Sequence, residues 1–185
     1  MRVFISIEFP EEVKKELLRI QKEIDKLGLI KGKFTDPDNL HLTVKFLGNV
    51  SETELRAIKE KLQEIEFNEF QVSLNDLGVF SESFIRIVWV DFSGNELFEI
   101  QNKIDDSLSN LFPKEYRFMA HTTVARPKYV EDRNVFLDEL RKIKVIKKKF
   151  LISKISLKES KLTKEGAKYD TLMEIFPSKI AELVA

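Results

Sequence analysis

A repeat at one constant offset constrains this chain more than any other feature. His41-Leu42-Thr43-Val44 returns as His121-Thr122-Thr123-Val124, eighty positions on. Phe70-x-x-Ser73-x-x-x-Leu77 returns as Phe150-x-x-Ser153-x-x-x-Leu157 at the same offset, and so do the helix starts at Ser51 and Glu131. Matches sharing one register indicate a duplicated unit, and such units bury their apolar faces against each other. No Gly/Ser-rich linker divides the halves, so two lobes packed together are expected, not beads on a string. The lobes fall at approximately 1–83 and 84–176 inside a single domain over 1–185, with the C-terminal tail as the segment able to cross over.

Hydrophobic period places the elements. Val3, Ile5, Ile7 and Phe9 alternate with Arg2, Ser6 and Glu8, which predicts a strand over 2–9. Pro10-Glu11-Glu12 opens a helix with the stripe Val13, Leu17, Ile20, Ile24, Leu27, and Gly28 stops it. The polar stretch 31–39 is read as a connection. A strand from His41 to Leu47 ends at Gly48, and Ser51-x-x-Glu54 is a capping box ahead of Leu55, Ile58, Leu62 and Ile65. Strands are predicted near 70–77, 84–92, 118–125, 149–157 and 168–176. Helices are predicted near 95–111 and 131–142, with a short one in the tail from 178. The order is β-α-β-α-β, then β-α-β-α-β-β.

Composition excludes several chemistries. With no cysteine, disulfides, thiolate metal sites and cysteine nucleophiles are out. The N-terminal apolar positions are interrupted by Ser6 and Glu8, unlike a signal peptide, and no apolar run is long enough to span a bilayer. A cytoplasmic monomer with no membrane contact is expected. Abundant Lys, Glu and Ile without Cys suits a thermophile. Charges sum to zero, which argues against a generic polyanion binder but leaves a local patch open. Between Arg141 and Lys161 stand nine basic residues and one acid, Glu159: either a solvated helix end and strand edge, or a patch for a nucleic-acid backbone.

The chain has only two histidines, and both begin a His-x-Thr on a predicted strand. Residues i and i+2 of a strand share a face, so His41 lies beside Thr43 and His121 beside Thr123. Leu40, Leu42, Val44 and Phe46 alternate onto the other face. If a pseudo-two-fold relates the halves, the pairs face each other across a groove. Opening a cyclic phosphate needs a base on the attacking water and an acid on the departing ribose oxygen, on opposite sides of phosphorus. Two imidazoles can supply both, and threonine hydroxyls can bond the non-bridging oxygens. A zinc site would need carboxylates from elsewhere, since no acid lies two residues from either histidine. No metal and no cofactor are expected. Walker-type loops and G-x-G-x-x-G are absent.

The twin His-x-Thr-x motifs resemble those of the two-histidine (2H) phosphoesterases. Arg2-Val-Phe-Ile-Ser-Ile-Glu-Phe-Pro10, His41-Leu-Thr-Val-Lys-Phe-Leu-Gly48, and Glu159-Ser-Lys-Leu-Thr163 with Gly166 and Tyr169 are similar to the RNA 2′,3′-cyclic phosphodiesterase branch, historically called 2′-5′ RNA ligase. The resemblance spans nearly the whole chain. It implies an α+β, bilobal, duplicated fold, two antiparallel sheets lining a central cleft with helices on the outside. It implies hydrolysis of RNA 2′,3′-cyclic ends to 2′-phosphomonoesters, with reversible 2′-5′ ligation as a side activity. The partners it implies are RNA ends such as tRNA fragments, with free nucleotides as a further ligand class. It makes His41 the proton donor and His121 the proton acceptor, a choice the symmetric motif itself leaves open. A catalytically idle RNA or nucleotide binder on the same fold is the competing reading, and intact pairs in both copies argue against it.

Further candidates carry two readings each. Arg126 is a phosphate contact by its place in the H-x-T-x-x-R of the family, yet strict alternation puts it opposite His121; otherwise it is a rim salt bridge. Lys45, which strict alternation puts on the face of His41 and Thr43, binds phosphate or is solvated. Phe46, Phe84 and Tyr169 stack a base, or belong to core packing in a chain with 15 Phe.

Overall fold

The computed structural model describes residues 1–164 and 166–178. Strand β1 (Arg2–Glu8) leads into helix α1 (Glu11–Lys26), strand β2 (Ile30–Phe34), a 3-10 turn (Pro37–Asn39), strand β3 (His41–Asn49) and helix α2 (Glu52–Gln63). Then come β4 (Phe70–Val79), β5 (Val88–Ser93), α3 (Asn95–Ser107), β6 (His121–Val130), α4 (Arg133–Lys142), β7 (Lys149–Ile152), β8 (Ile155–Leu162) and β9 (Ala167–Ile175). The expected capping box forms: Ser51 Oγ accepts from the Glu54 amide at 3.2 Å, and the Glu54 carboxylate accepts from the Ser51 amide at 2.8 Å. Gly28 follows α1 at φ +66°, a conformation that costs glycine nothing.

The strands make two wholly antiparallel sheets, ordered β3-β1-β8-β9 and β2-β6-β5-β4-β7. The fold is α+β, as the resemblance implied. Two local expectations fail. The connection 31–39 begins with a real strand, β2, whose Lys31 and Lys33 hide it from a hydrophobic count; only pairing with β6 defines it. The stretch 149–157 is two strands, because β7 pairs with β4 in one sheet and β8 with β1 in the other. The helix expected from 178 lies outside the described residues.

A cut between residues 83 and 84 does not separate the sheets. β8 and β9 from the second half join β1 and β3, while β2 and β4 from the first half join β5, β6 and β7. The helices cross over too: α1 packs behind β6, and α3 packs behind β3 and β4. Val13, Leu17, Ile20 and Ile24 of α1 are fully buried, each contributing roughly 1.5–3 kcal/mol by burial. The repeat runs through these helices as well. Leu17, Ile20, Gln21, Ile24 and Asp25 recur eighty positions on as Leu97, Ile100, Gln101, Ile104 and Asp105. A local two-fold lies where β4 meets β7. Phe70 pairs with Ile152 and Val72 with Phe150, so an eighty-residue shift maps the pairing onto itself. No helix among the described residues is long and apolar enough to cross a membrane.

Candidate active site

Both histidine strands carry the same irregularity. Along β3, His41 faces Glu8 of β1 and Thr43 faces Ser6, but Lys45 faces Ile5, leaving Val44 unpaired. Along β6, Thr123 faces Trp89 of β5 and Ala125 faces Val88, leaving Val124 unpaired, again eighty positions on. One extra residue in a strand reverses the alternation beyond it. Before each bulge, His and Thr are half-buried on the face away from the helices, with Leu42 and Thr122 buried behind them. After it, residues expected outside point in, and the reverse.

This decides the fate of three candidates. Lys45 turns into the core, where it is buried in an ion pair with Asp105 and donates to the Pro113 carbonyl at 2.8 Å. It therefore does not share the face of His41 and Thr43. Asp105 also accepts from Gln101 Nε2 at 3.0 Å and from the Glu115 amide at 2.7 Å. Burial pushes its carboxyl up, but these bonds and the Lys45 charge outweigh that and hold it below the usual carboxylate range. Phe46 turns outward, 70% exposed, so it is not the core residue that alternation predicts. Arg126 comes round to the face of His121 and Thr123, opposite Lys33 of β2. It is exposed, with no carboxylate in ion-pair reach among the described residues. The Val124 bulge is secured from behind, its carbonyl accepting from Gln21 Nε2 at 2.8 Å and from the Thr35 amide at 3.0 Å.

The rings are held alike. His41 Nδ1 lies 2.8 Å from the Asn39 carbonyl, and His121 Nδ1 lies 2.7 Å from the Met119 carbonyl. A carbonyl only accepts, so each Nδ1 carries hydrogen and each neutral ring keeps its lone pair on Nε2. Thr43 Oγ1, 3.1 Å from His41 Nε2, then donates to it.

Their surroundings differ. His41 stacks on Phe4 with ring centroids 5.0 Å apart, and Tyr169 meets it edge-on at 5.2 Å. Burial pushes its pKa down to about 4; the Asn39 carbonyl and the Glu8 charge act upward, and Lys158 acts downward. Among the described residues, His121 has one aromatic neighbour of this kind, Phe80, edge-on at 4.9 Å. The structure thus gathers His41, Thr43, Phe46 and Tyr169 on one sheet, and His121, Thr123 and Arg126 on the other. β3 and β6 approach each other to within 8 Å between Cα atoms. Phe84 is exposed, not core, and its ring lies 4.5 Å from the Arg86 guanidinium. Sequence reasoning missed Phe80, which has no counterpart in the repeat, and Gln21, which the eighty-residue offset to Gln101 could have exposed.

Comparison with known proteins agrees with this architecture. The family model for LigT like phosphoesterase matches residues 7–89. The RNA 2′,3′-cyclic phosphodiesterase of Methanocaldococcus jannaschii is 34% identical over 177 residues, covering 94% of this chain and 99% of that protein. That of Methanothermobacter thermautotrophicus is 32% identical over 184 residues, covering 95% and 98%. Among solved structures, a Thermus thermophilus protein superposes with a TM-score of 0.78 at 21% identity, covering 95% of this chain and 97% of that one. Escherichia coli LigT without ligand superposes at 0.77 and 18% identity, covering 96% and 98%. These two likenesses speak for the fold. The duplicated motif, the paired sheets and relatives matched nearly end to end lead to one assignment: the chain belongs to the LigT-like phosphoesterases of the two-histidine (2H) superfamily.

Proposed function

We propose that this protein hydrolyses RNA 2′,3′-cyclic phosphate ends to 2′-phosphomonoesters by metal-independent acid–base catalysis with His41 and His121. The observation that carries the reading is the duplicated His–Thr face, each ring locked through Nδ1 so that Nε2 is the nitrogen left for proton transfer, that of His41 accepting from Thr43 when the ring is neutral. The names of the M. jannaschii and M. thermautotrophicus relatives support the substrate class. His121 Nε2 takes a proton from water as its oxygen bonds phosphorus. The P–O3′ bond breaks, and His41 Nε2 delivers a proton to O3′, leaving a 3′-hydroxyl and a 2′-phosphate. Thr43 and Thr123 donate to the non-bridging oxygens, with Arg126 as a fork on the same phosphate. Tyr169, edge-on to His41, and Phe46, whose ring lies 6.2 Å from that of Phe4, supply apolar surface for the terminal nucleoside. With a 5′-hydroxyl in place of water as the nucleophile, the same steps form a P–O5′ bond, break P–O3′ and join the two ends in a 2′-5′ linkage without ATP. tRNA fragments and free nucleotides fall within the range of ligands.

The test is product analysis on an RNA ending in cyclic phosphate, with and without chelator. A 2′-phosphate product in excess EDTA is expected, since no group of three or more His, Cys, Asp or Glu side chains fit for a metal occurs among the described residues. His41→Ala and His121→Ala should each cost ~10²–10⁴-fold, and the double variant far less than the product of the two. Activity lost to EDTA and restored by zinc or manganese would overturn the reading, as would losses under about tenfold in both single variants.

A further inference from the structure

Five of the nine cations in the basic run seen in the sequence are held in ion pairs in the fold. Arg141 pairs with Glu82 and Asp138, Lys142 with Glu139, Lys154 and Lys158 with Glu8, and Lys161 with Asp170. Apart from Lys144, Lys147, Lys148 and Lys149 of that run, a second group of cations without such partners gathers from positions scattered along the chain. Lys33 of β2 lies opposite Arg126, and Lys31 lies opposite Tyr129. Ile30, Phe34 and Val130 of the same strands pack against the core, so Lys31, Lys33, Arg126 and Tyr129 share the outward face that carries His121 and Thr123. Arg86 borders them, donating to the Lys128 carbonyl at 2.8 Å and lying over the Phe84 ring. Lys31, Lys33, Arg86 and Arg126 have no carboxylate in ion-pair reach among the described residues. Phe84 is 63% exposed and Tyr129 56%.

We infer that this face is a track for the single-stranded RNA leading up to the cyclic end, an inference that rests on the proposed function. From His121 to Tyr129 the chain extends roughly 25 Å at the rise of a strand, room for several nucleotides beyond the reacting one. Unpaired cations flanking exposed aromatic rings are what a single strand needs: phosphates meet the Lys and Arg groups, and bases stack on Phe84 and Tyr129. Charged side chains also protect edge strands from aggregation, and β2 is an edge. That role explains Lys31 and Lys33, but not Arg86, Phe84 or Tyr129, which lie off the edge strand.

Two substrates separate the possibilities: a 2′,3′-cyclic mononucleotide, and an oligoribonucleotide of about eight residues with a cyclic end. The oligonucleotide should show the lower KM and the steeper salt dependence. Lys31→Glu with Lys33→Glu, and separately Arg86→Ala, should raise its KM about tenfold and flatten the salt slope. Phe84→Ala and Tyr129→Ala should raise its KM without changing that slope. The mononucleotide's kcat/KM should shift less than about twofold in all of them. Anisotropy of a labelled oligoribonucleotide ending in 2′-phosphate reads the same surface without turnover, so failure of the catalytic reading is seen separately, as wild-type protein that binds but does not hydrolyse. Variants that bind this oligonucleotide as wild type does, or that weaken both substrates equally, overturn the track; the first outcome leaves the lysines as edge protection only.

Discussion

His41 and His121 occupy equivalent places in a duplicated motif but meet unequal surroundings. The Phe4 and Tyr169 rings keep His41 neutral at pH 7, with a pKa of about 4, below the ordinary imidazole value. To act as the proton donor it must gain a proton together with the substrate, whose phosphate charge raises the pKa of a neighbouring imidazole. Binding of a 2′-phosphorylated product between pH 5 and 7 should therefore take up about one more proton in wild type than in His41→Ala. The dependence of binding enthalpy on buffer ionisation measures this directly. Equal uptake in the two proteins would remove His41 from the donor role and favour the reverse assignment. The motif alone could not rank the two rings, because the aromatic neighbours come from β1 and β9, far away in sequence.

At the scale of the strand, the bulges at Val44 and Val124 matter more than alternation. They send Lys45 inward to Asp105 and bring Arg126 outward to His121. Lys45→Ala should destabilise the fold by about 3–5 kcal/mol, since it strips a buried carboxylate of its charge partner. Lys45→Met with Asp105→Asn should recover most of that loss, with KM close to wild type. Thermal unfolding and steady-state kinetics check the pair. A raised KM in Lys45→Met with unchanged stability would instead make the lysine a phosphate contact. Period-two reading placed the strands and the His–Thr faces correctly up to the bulge and failed just after it. A bulge depends on partners across the sheet and on Gln21 behind it, which no window along β6 contains.

Across the whole molecule, each sheet and each helix layer draws on both halves of the chain. Burial of α1 needs β6, and β8 and β9 complete the sheet begun by β1 and β3. Fragments 1–83 and 84–185 should therefore each fail to unfold cooperatively when produced alone, and should regain the native circular dichroism spectrum when mixed. A sharp thermal transition in either fragment by itself would show that a half folds without its partner.

Local pattern along the chain encodes the helices with their stripes and capping box, most strands, the duplication, and the two His–Thr pairs. These follow from periodicity and from an offset counted residue by residue. The interleaving of the halves, the strand β2, the burial of Lys45, the outward turn of Arg126 and the inequality of the two histidines emerge only in three dimensions. Each of these is set by contacts between residues far apart in sequence. Whether a polar side chain faces water, phosphate or a buried carboxylate depends on what stands opposite it in space, and a one-dimensional pattern carries no record of that.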